Sequence, residues 1–123
     1  MRITAIETIQ LEEFPNLLWV HVHTDQGLIG LGETFFGPNA VAAYIHETAA
    51  PRLLGQDPLR IEHHWQYMYR FSHFRGAAIM GALSALDIAL WDIAGKHFGV
   101  PVYQLLGGQV RDRARVYYHV FGD

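Results

Sequence analysis

Apolar side chains recur at every second position in two stretches near the N-terminus. Ile3, Ala5, Ile9 and Leu11 do so across residues 3–11, and Leu18, Val20 and Val22 share one face of residues 17–24. A period of two places alternate side chains on one side of an extended chain, so both stretches read as strands. Residues 28–35 form a third. The intervening "TDQG" ends in Gly27, which supplies the positive φ of a short hairpin turn. A three-stranded antiparallel meander is expected.

The pattern then becomes helical. Asn39 in "GPNA" is the expected N-cap of a helix from about Ala40 to near Pro51. Asp57 in "QDPL" is the expected N-cap of a second, with Pro58 at its first position and its end near Arg70. Residues 82–98 carry apolar side chains at Leu83, Leu86, Leu90 and Ile93, and again at Ala85, Ile88, Ala89 and Trp91. A helix apolar nearly all round belongs at the centre of the core. Gly99 fits the left-handed position after its end and Pro101 the stop beyond, with Lys96 and His97 suited to the helix dipole in the last turn. Strands grouped first and about three helices grouped second give an α+β fold, the helices covering one face of the sheet.

That central helix also carries two aspartates and a lysine. At ~100° per residue, Asp87 and Asp92 lie roughly 140° apart around the axis, so they cannot share a proton or a metal. Asp92 and Lys96, four apart, should pair. Asp87, among apolar neighbours, is expected to tie down a chain end or an arginine.

Composition narrows the function. The 123 residues suffice for one domain with a core. Half are hydrophobic and 17% charged, which suggests an apolar surface normally covered by something else. Nine basic against twelve acidic residues, with no basic run, argue against a nucleic-acid partner. The absence of cysteine removes disulfides and thiolate chemistry. The N-terminus lacks an apolar signal core, and no uninterrupted apolar run approaches the ~18 residues that span a membrane. A cytoplasmic protein without a membrane partner is expected.

Other chemical motifs are weak. His21 and His23 share a strand face and could hold a metal, but no third ligand is evident, and face-filling is the plainer account. "HETAA" at His46 has Ala50 where a zinc-protease helix needs its second histidine. His63 and His64 are adjacent and point ~100° apart on a helix. "GLGE" at residues 30–33 is too short for a dinucleotide fingerprint and better fits a strand that another backbone approaches closely.

One long pattern is specific. Ala82, Ser84, Ala85, Leu86, Asp87, Ala89, Leu90, Trp91, Asp92, Gly95 and Lys96, followed by Gly99, Pro101, Leu105, Leu106, Gly107 and Gly108, resemble the signature that closes the N-terminal domain in the mandelate racemase and muconate lactonizing enzyme branch of the enolase superfamily. "MRITAIETIQL", "VHTDQGLIGLGET" and "PRLLGQDP" look like the same family in the same order. The resemblance implies an α+β capping domain over residues 1–112. Residues 113–123 would begin the missing C-terminal domain, with "ARVYYHVFGD" as the first strand of a (β/α)7β barrel. That barrel would hold Mg²⁺ and the catalytic bases, abstracting a proton α to a carboxylate to give a metal-stabilised enediolate. No catalytic residue and no metal ligand is then expected in this chain.

The resemblance further implies that two cap loops, "EEFPN" and "TFFGPN", act as lids. Phe14, Asn16, Phe35 and Phe36 become substrate-facing candidates, with ordinary loop packing as the alternative. His119, near the end of the first barrel strand, resembles a substrate-contacting histidine of some sugar-acid dehydratases. Val116, Tyr118 and Val120 would form an unpaired, association-prone strand face. The implied protein is a Mg²⁺-dependent sugar-acid dehydratase or racemase, commonly a homo-oligomer. Its partners would be its own barrel and a small carboxylic acid, and this 123-residue fragment would be inert alone. A free-standing, non-catalytic α+β binding module is the alternative.

Overall fold

In the computed structural model, which describes residues 1–118, three strands form one antiparallel sheet in the order β1–β2–β3: Ile3–Ile9, Leu17–Thr24 and Ile29–Phe35. Helices follow as α1 (Pro38–Tyr44), a π-helical turn (Ile45–Ala49), α2 (Ala50–Leu53), α3 (Ile61–Phe71), α4 (Ala77–Phe98) and the short α5 (Val102–Leu105). The α+β meander is therefore as the residue pattern predicts.

Strand β2 alternates as expected, with Leu18, Val20, Val22 and Thr24 buried. Strand β1 does not. Its register against β2 slips between Ile3 and Ala5, so Ile3 and Ile6 point inward and Ala5 outward. The bulge turns the strand by one residue, which a strict period of two cannot represent. The strand also ends at Ile9, leaving Leu11 exposed.

Helix starts differ from the expected caps. Gly37, in the left-handed conformation, occupies the cap position of α1, and Pro38 fills its first turn with a ready-made φ. Asn39 therefore lies inside the helix. The helical path continues through Pro51 to Leu53 because a π turn intervenes, the Ala50 N–H bonding to the Ile45 carbonyl five residues back. Pro51 then sits in the first turn of α2, where its missing N–H costs no helical bond. Asp57 caps a tight turn rather than α3, its Oδ1 accepting the Leu59 N–H at 3.0 Å. His64 completes that corner. It is buried, burial pulls its pKa below the ordinary 6.5, and the neutral ring donates from Nε2 to the Asp57 carbonyl at 2.8 Å.

Helix α4 lies across the inner face of the sheet, with Ala82, Leu83, Ala85, Leu86, Ala89, Leu90 and Ile93 fully buried. It starts five residues before the pattern predicts, after Gly76. Its end follows the predicted form: Gly99 is left-handed, and the Val100 N–H reaches back to the Gly95 carbonyl at 3.0 Å. Counted as a helix rather than an uninterrupted run, its 22 residues reach membrane-spanning length and hydropathy. Its buried face against the sheet accounts for that composition.

The sheet meets α4 at backbone distance. A Cβ built on Gly32 would lie 1.9 Å from the Ala85 carbonyl oxygen, and one on Gly30 would lie 2.1 Å from that of Ala89. "GLGE" is thus a strand approached by another backbone, as its composition suggests.

Each outer strand has part of its free edge covered. The Ile3 N–H donates to the Gln56 carbonyl and the Ile3 carbonyl accepts from Gly55, so the turn after α2 closes β1 at its start. On β3, Asp92 Oδ2 accepts the outward Leu31 N–H at 2.8 Å, while Lys96 Nζ donates to the Ile29 carbonyl at 2.6 Å and to Asp92 Oδ2 at 2.7 Å. The expected Asp92–Lys96 pair is present, and its two charges substitute for a missing fourth strand.

Among the described residues, Asp87 holds neither a chain end nor an arginine. Burial raises its carboxyl above the ordinary 3.8, the charge of Glu62 adds to the rise, and a hydrogen bond with Trp91 opposes it. Positions 113–118 form no strand, and Val116 and Tyr118 are exposed; a strand needs a ladder partner, and none pairs with this segment among the described residues. Val120 lies outside the described residues.

Three outcomes follow for the 123-residue chain. Gly32→Ala should lose about 3 kcal/mol or more in chemical denaturation or fail to fold, whereas Gly76→Ala, with open space around it, should stay near wild type. Asp92→Ala should cost about 1 to 2 kcal/mol and accelerate hydrogen exchange at the Leu31 amide, with little change at β1 amides. For Asp87 the folded pKa exceeds the unfolded one, so stability falls as pH rises through that interval. Asp87→Asn should exceed wild type in denaturation midpoint near neutral pH, and the difference should close below about pH 4.

Candidate functional site

An antiparallel meander brings the end of β1, the start of β2 and the end of β3 to one side. The pairings Ile9 with Trp19 and Leu17 with Phe35 place the loop after β1 beside the loop after β3. One backbone hydrogen bond, from the Phe36 N–H to the Asn16 carbonyl at 2.9 Å, joins them. The loop after β1 is braced within itself by Phe14 N–H to Leu11, Leu17 N–H to Phe14, and the Gln10 side-chain amide to the Pro15 carbonyl.

Phe14, Asn16, Phe35 and Phe36 are thus brought together at one end of the sheet. Phe14 meets Trp19 edge to face at 6.2 Å between ring centroids and remains half-exposed. Phe35 and Phe36 are 67% and 73% exposed, too open for ordinary core packing. Phe36 also has φ of 77°, followed by Gly37 at 68°. A bulky residue rarely enters the left-handed region, and among the described residues Phe36 is the only non-glycine there. The turn that it makes holds its ring outward at the sheet end. His119 lies outside the described residues.

A second group stands on the outer face of the sheet. Glu7 on β1 is directly opposite His21 on β2, and its Oε2 reaches diagonally to His23 Nε2 at 2.7 Å. Ligand-capable atoms of Glu7, His21 and His23 all lie within 4.8 Å of one another. A third ligand-capable side chain, which the sequence did not reveal, therefore stands across the strand pair. By contrast, His63 stacks on Tyr67 while His64 turns inward, so that adjacent pair divides as expected. His46 hydrogen-bonds Thr8 Oγ1 at 2.8 Å.

A third feature is a groove of about 600 Å³ beside α4, lined by Leu31, Asp87, Ile88, Trp91, Val102 and Leu106. Its walls are mainly apolar, and Asp87 is the group in it whose carboxyl is held above its ordinary pKa.

None of these places holds an acid–base pair with a positioned nucleophile. Comparison with known proteins locates the chain more firmly. The family model described as "Mandelate racemase / muconate lactonizing enzyme, N-terminal domain" matches residues 3–107. D-galactonate dehydratase of Verminephrobacter eiseniae is 50% identical over 126 aligned positions, covering all of this chain and 32% of the relative. An enolase of the mandelate racemase subgroup from Agrobacterium tumefaciens superposes with a TM-score of 0.84 at 52% identity, covering 88% of this chain and 30% of that one. An enolase from Pantoea ananatis with bound D-gluconate and Mg superposes at 0.83 with 45% identity, covering 90% and 28%. The chain spans about a third of the length of the curated relatives that it matches. With the meander, the glycine-lined strand and the closing helix all in place, this chain belongs to the mandelate racemase/muconate lactonizing enzyme family of the enolase superfamily, as its N-terminal domain.

Proposed function

We propose that this chain is the substrate-facing cap of a sugar-acid dehydratase whose reacting groups stand in a C-terminal barrel, and that the cap alone turns nothing over. Dehydration of a sugar acid removes the proton α to the carboxylate and the hydroxyl on the β carbon, releasing them together as water. That requires an acid, a base and a means of stabilising negative charge. The loops at the sheet end present three phenyl rings beside the exposed Glu12 and Glu13, and the contribution proposed for those rings is shape and exclusion of solvent.

The observation that carries this reading is the joined pair of loops. The Phe36–Asn16 hydrogen bond makes them one unit, with Phe35 and Phe36 exposed at the left-handed turn of one loop and Phe14 half-exposed against Trp19 on the other. Scattered exposed phenylalanines would need no explanation, but three on one strained, braced rim favour a bound partner surface or substrate. The apolar groove beside α4 supplies the face on which a barrel would rest, and residues 113–123 the passage into it. The family's polyhydroxylated-acid dehydratases set the substrate class.

Magnesium does not fit the residues described here. Mg²⁺ takes oxygen ligands in octahedral array, and among the described residues the one group of three potential ligands contains two imidazoles. The metal of the reaction therefore belongs to the barrel in this reading.

In the full-length enzyme, Phe36→Ala should lower kcat/KM for sugar acids roughly 10- to 100-fold and alter preference within a panel of aldonic acids, with Mg²⁺ affinity unchanged. Unaltered kinetics for both Phe36→Ala and Phe14→Ala would sink the lid assignment. The 123-residue chain incubated with Mg²⁺ and the same panel should give no product; turnover would refute the division of labour.

A further inference from the structure

We propose that Glu7, His21 and His23 form a binding site for Zn²⁺ or a similar borderline divalent cation on the outer face of the sheet. The site arises from strand geometry. His21 and His23 are two apart on β2 and project to the same side, away from the buried Val20, Val22 and Thr24. Glu7 is the cross-strand partner of His21 and the diagonal neighbour of His23, within the reach of a glutamate side chain.

The distances suit a metal. Zinc held at 2.0–2.2 Å by three ligands in tetrahedral directions needs ligand atoms about 3.3 Å apart. Here they lie within 4.8 Å, with the Glu7–His23 pair already at 2.7 Å, so rotations of exposed side chains bring the three onto one ion without moving the backbone. His21 and His23 sit with ring centroids 6.2 Å apart and planes 68° apart, so the rings are not stacked against each other. Two imidazoles and one carboxylate select zinc-like ions over Mg²⁺, which prefers oxygen. Glu7 is exposed and the histidines are partly so, leaving a coordination position open to water or another small ligand.

The place in the fold separates this site from the proposed lid. His23 pairs with Ala5 and Ile29, toward the hairpin of β2 and β3, whereas Phe14 and Phe35 are at the opposite end of the sheet. The ion would replace the direct Glu7–His23 contact and link β1 to β2 across the same face.

Calorimetric titration of the full chain with Zn²⁺, repeated in excess Mg²⁺, tests this. The expected result is saturable one-to-one binding that Mg²⁺ does not displace, weakened at least 10-fold in His21→Gln, His23→Gln and Glu7→Gln and retained in His97→Gln. Co²⁺ in place of Zn²⁺ should give the intense visible bands of a tetrahedral ion in wild type and lose them in His23→Gln. Zn²⁺ should also raise the melting temperature of wild type, a readout that stands even if one variant fails to fold. No binding, or binding and cobalt spectra that the three substitutions leave unchanged, would overturn the proposal.

Discussion

The approach of β3 to α4 at backbone distance is the constraint from which the rest of the structure follows. Gly30 and Gly32 leave no side chain between the strand and the carbonyls of Ala89 and Ala85, so helix and sheet touch without an intervening layer. Such contact requires alanines on the helix at those positions and accounts for the small residues among its large ones. It also brings the next turn of α4 alongside the open edge of β3. Asp92 and Lys96 can then reach the Leu31 N–H and the Ile29 carbonyl. A bulkier interface would hold these side chains too far away to replace a strand.

This geometry gives a segment dense in ionisable residues a structural task. Asp92 and Lys96 are engaged with backbone, and burial pushes the Asp87 carboxyl, beside Trp91, above its ordinary pKa. Groups committed to closing a sheet edge are not free to exchange protons with a substrate. In the proposed cap the signature serves as architecture, and the reacting groups would come from the barrel.

Much of this was legible in the sequence where one local rule governed. Strand β2, the Gly27 turn, the Gly-Leu-Gly approach and the Gly99 end of α4 each depend on a few neighbouring residues. What escaped depended on distant ones. The β1 bulge shifts Ile6 inward and cannot be seen in an apparent alternation of apolar residues. The register of β1 against β2 is set across a seven-residue loop, so Glu7 could not be placed opposite His21 beforehand. The π turn that admits Pro51 and the left-handed Phe36 are likewise solutions to tertiary demands. Of the candidate rim, the aromatic content was readable, but the hydrogen bond uniting its two loops was not. The role of Asp92 at a strand edge was missed because its partner is a backbone amide sixty-one residues away.

The meander assigns different chemistry to its different surfaces. Its inner face is covered by α4, a turn meets the start of one edge strand, and an aspartate–lysine pair meets part of the other. That leaves one end and the outer face for encounters with other molecules. The end has aromatic rings on a strained turn, while the outer face has nitrogen and oxygen ligands on paired strands, which hold spacing better than loops do. Because the two lie at different places on one sheet, changes at the phenylalanine rim would, under the proposed lid role, alter which acid is accepted while the histidine face keeps its geometry. Strand pairing across β1 and β2 would make any ion bound there a stabiliser of the scaffold rather than a participant at the rim.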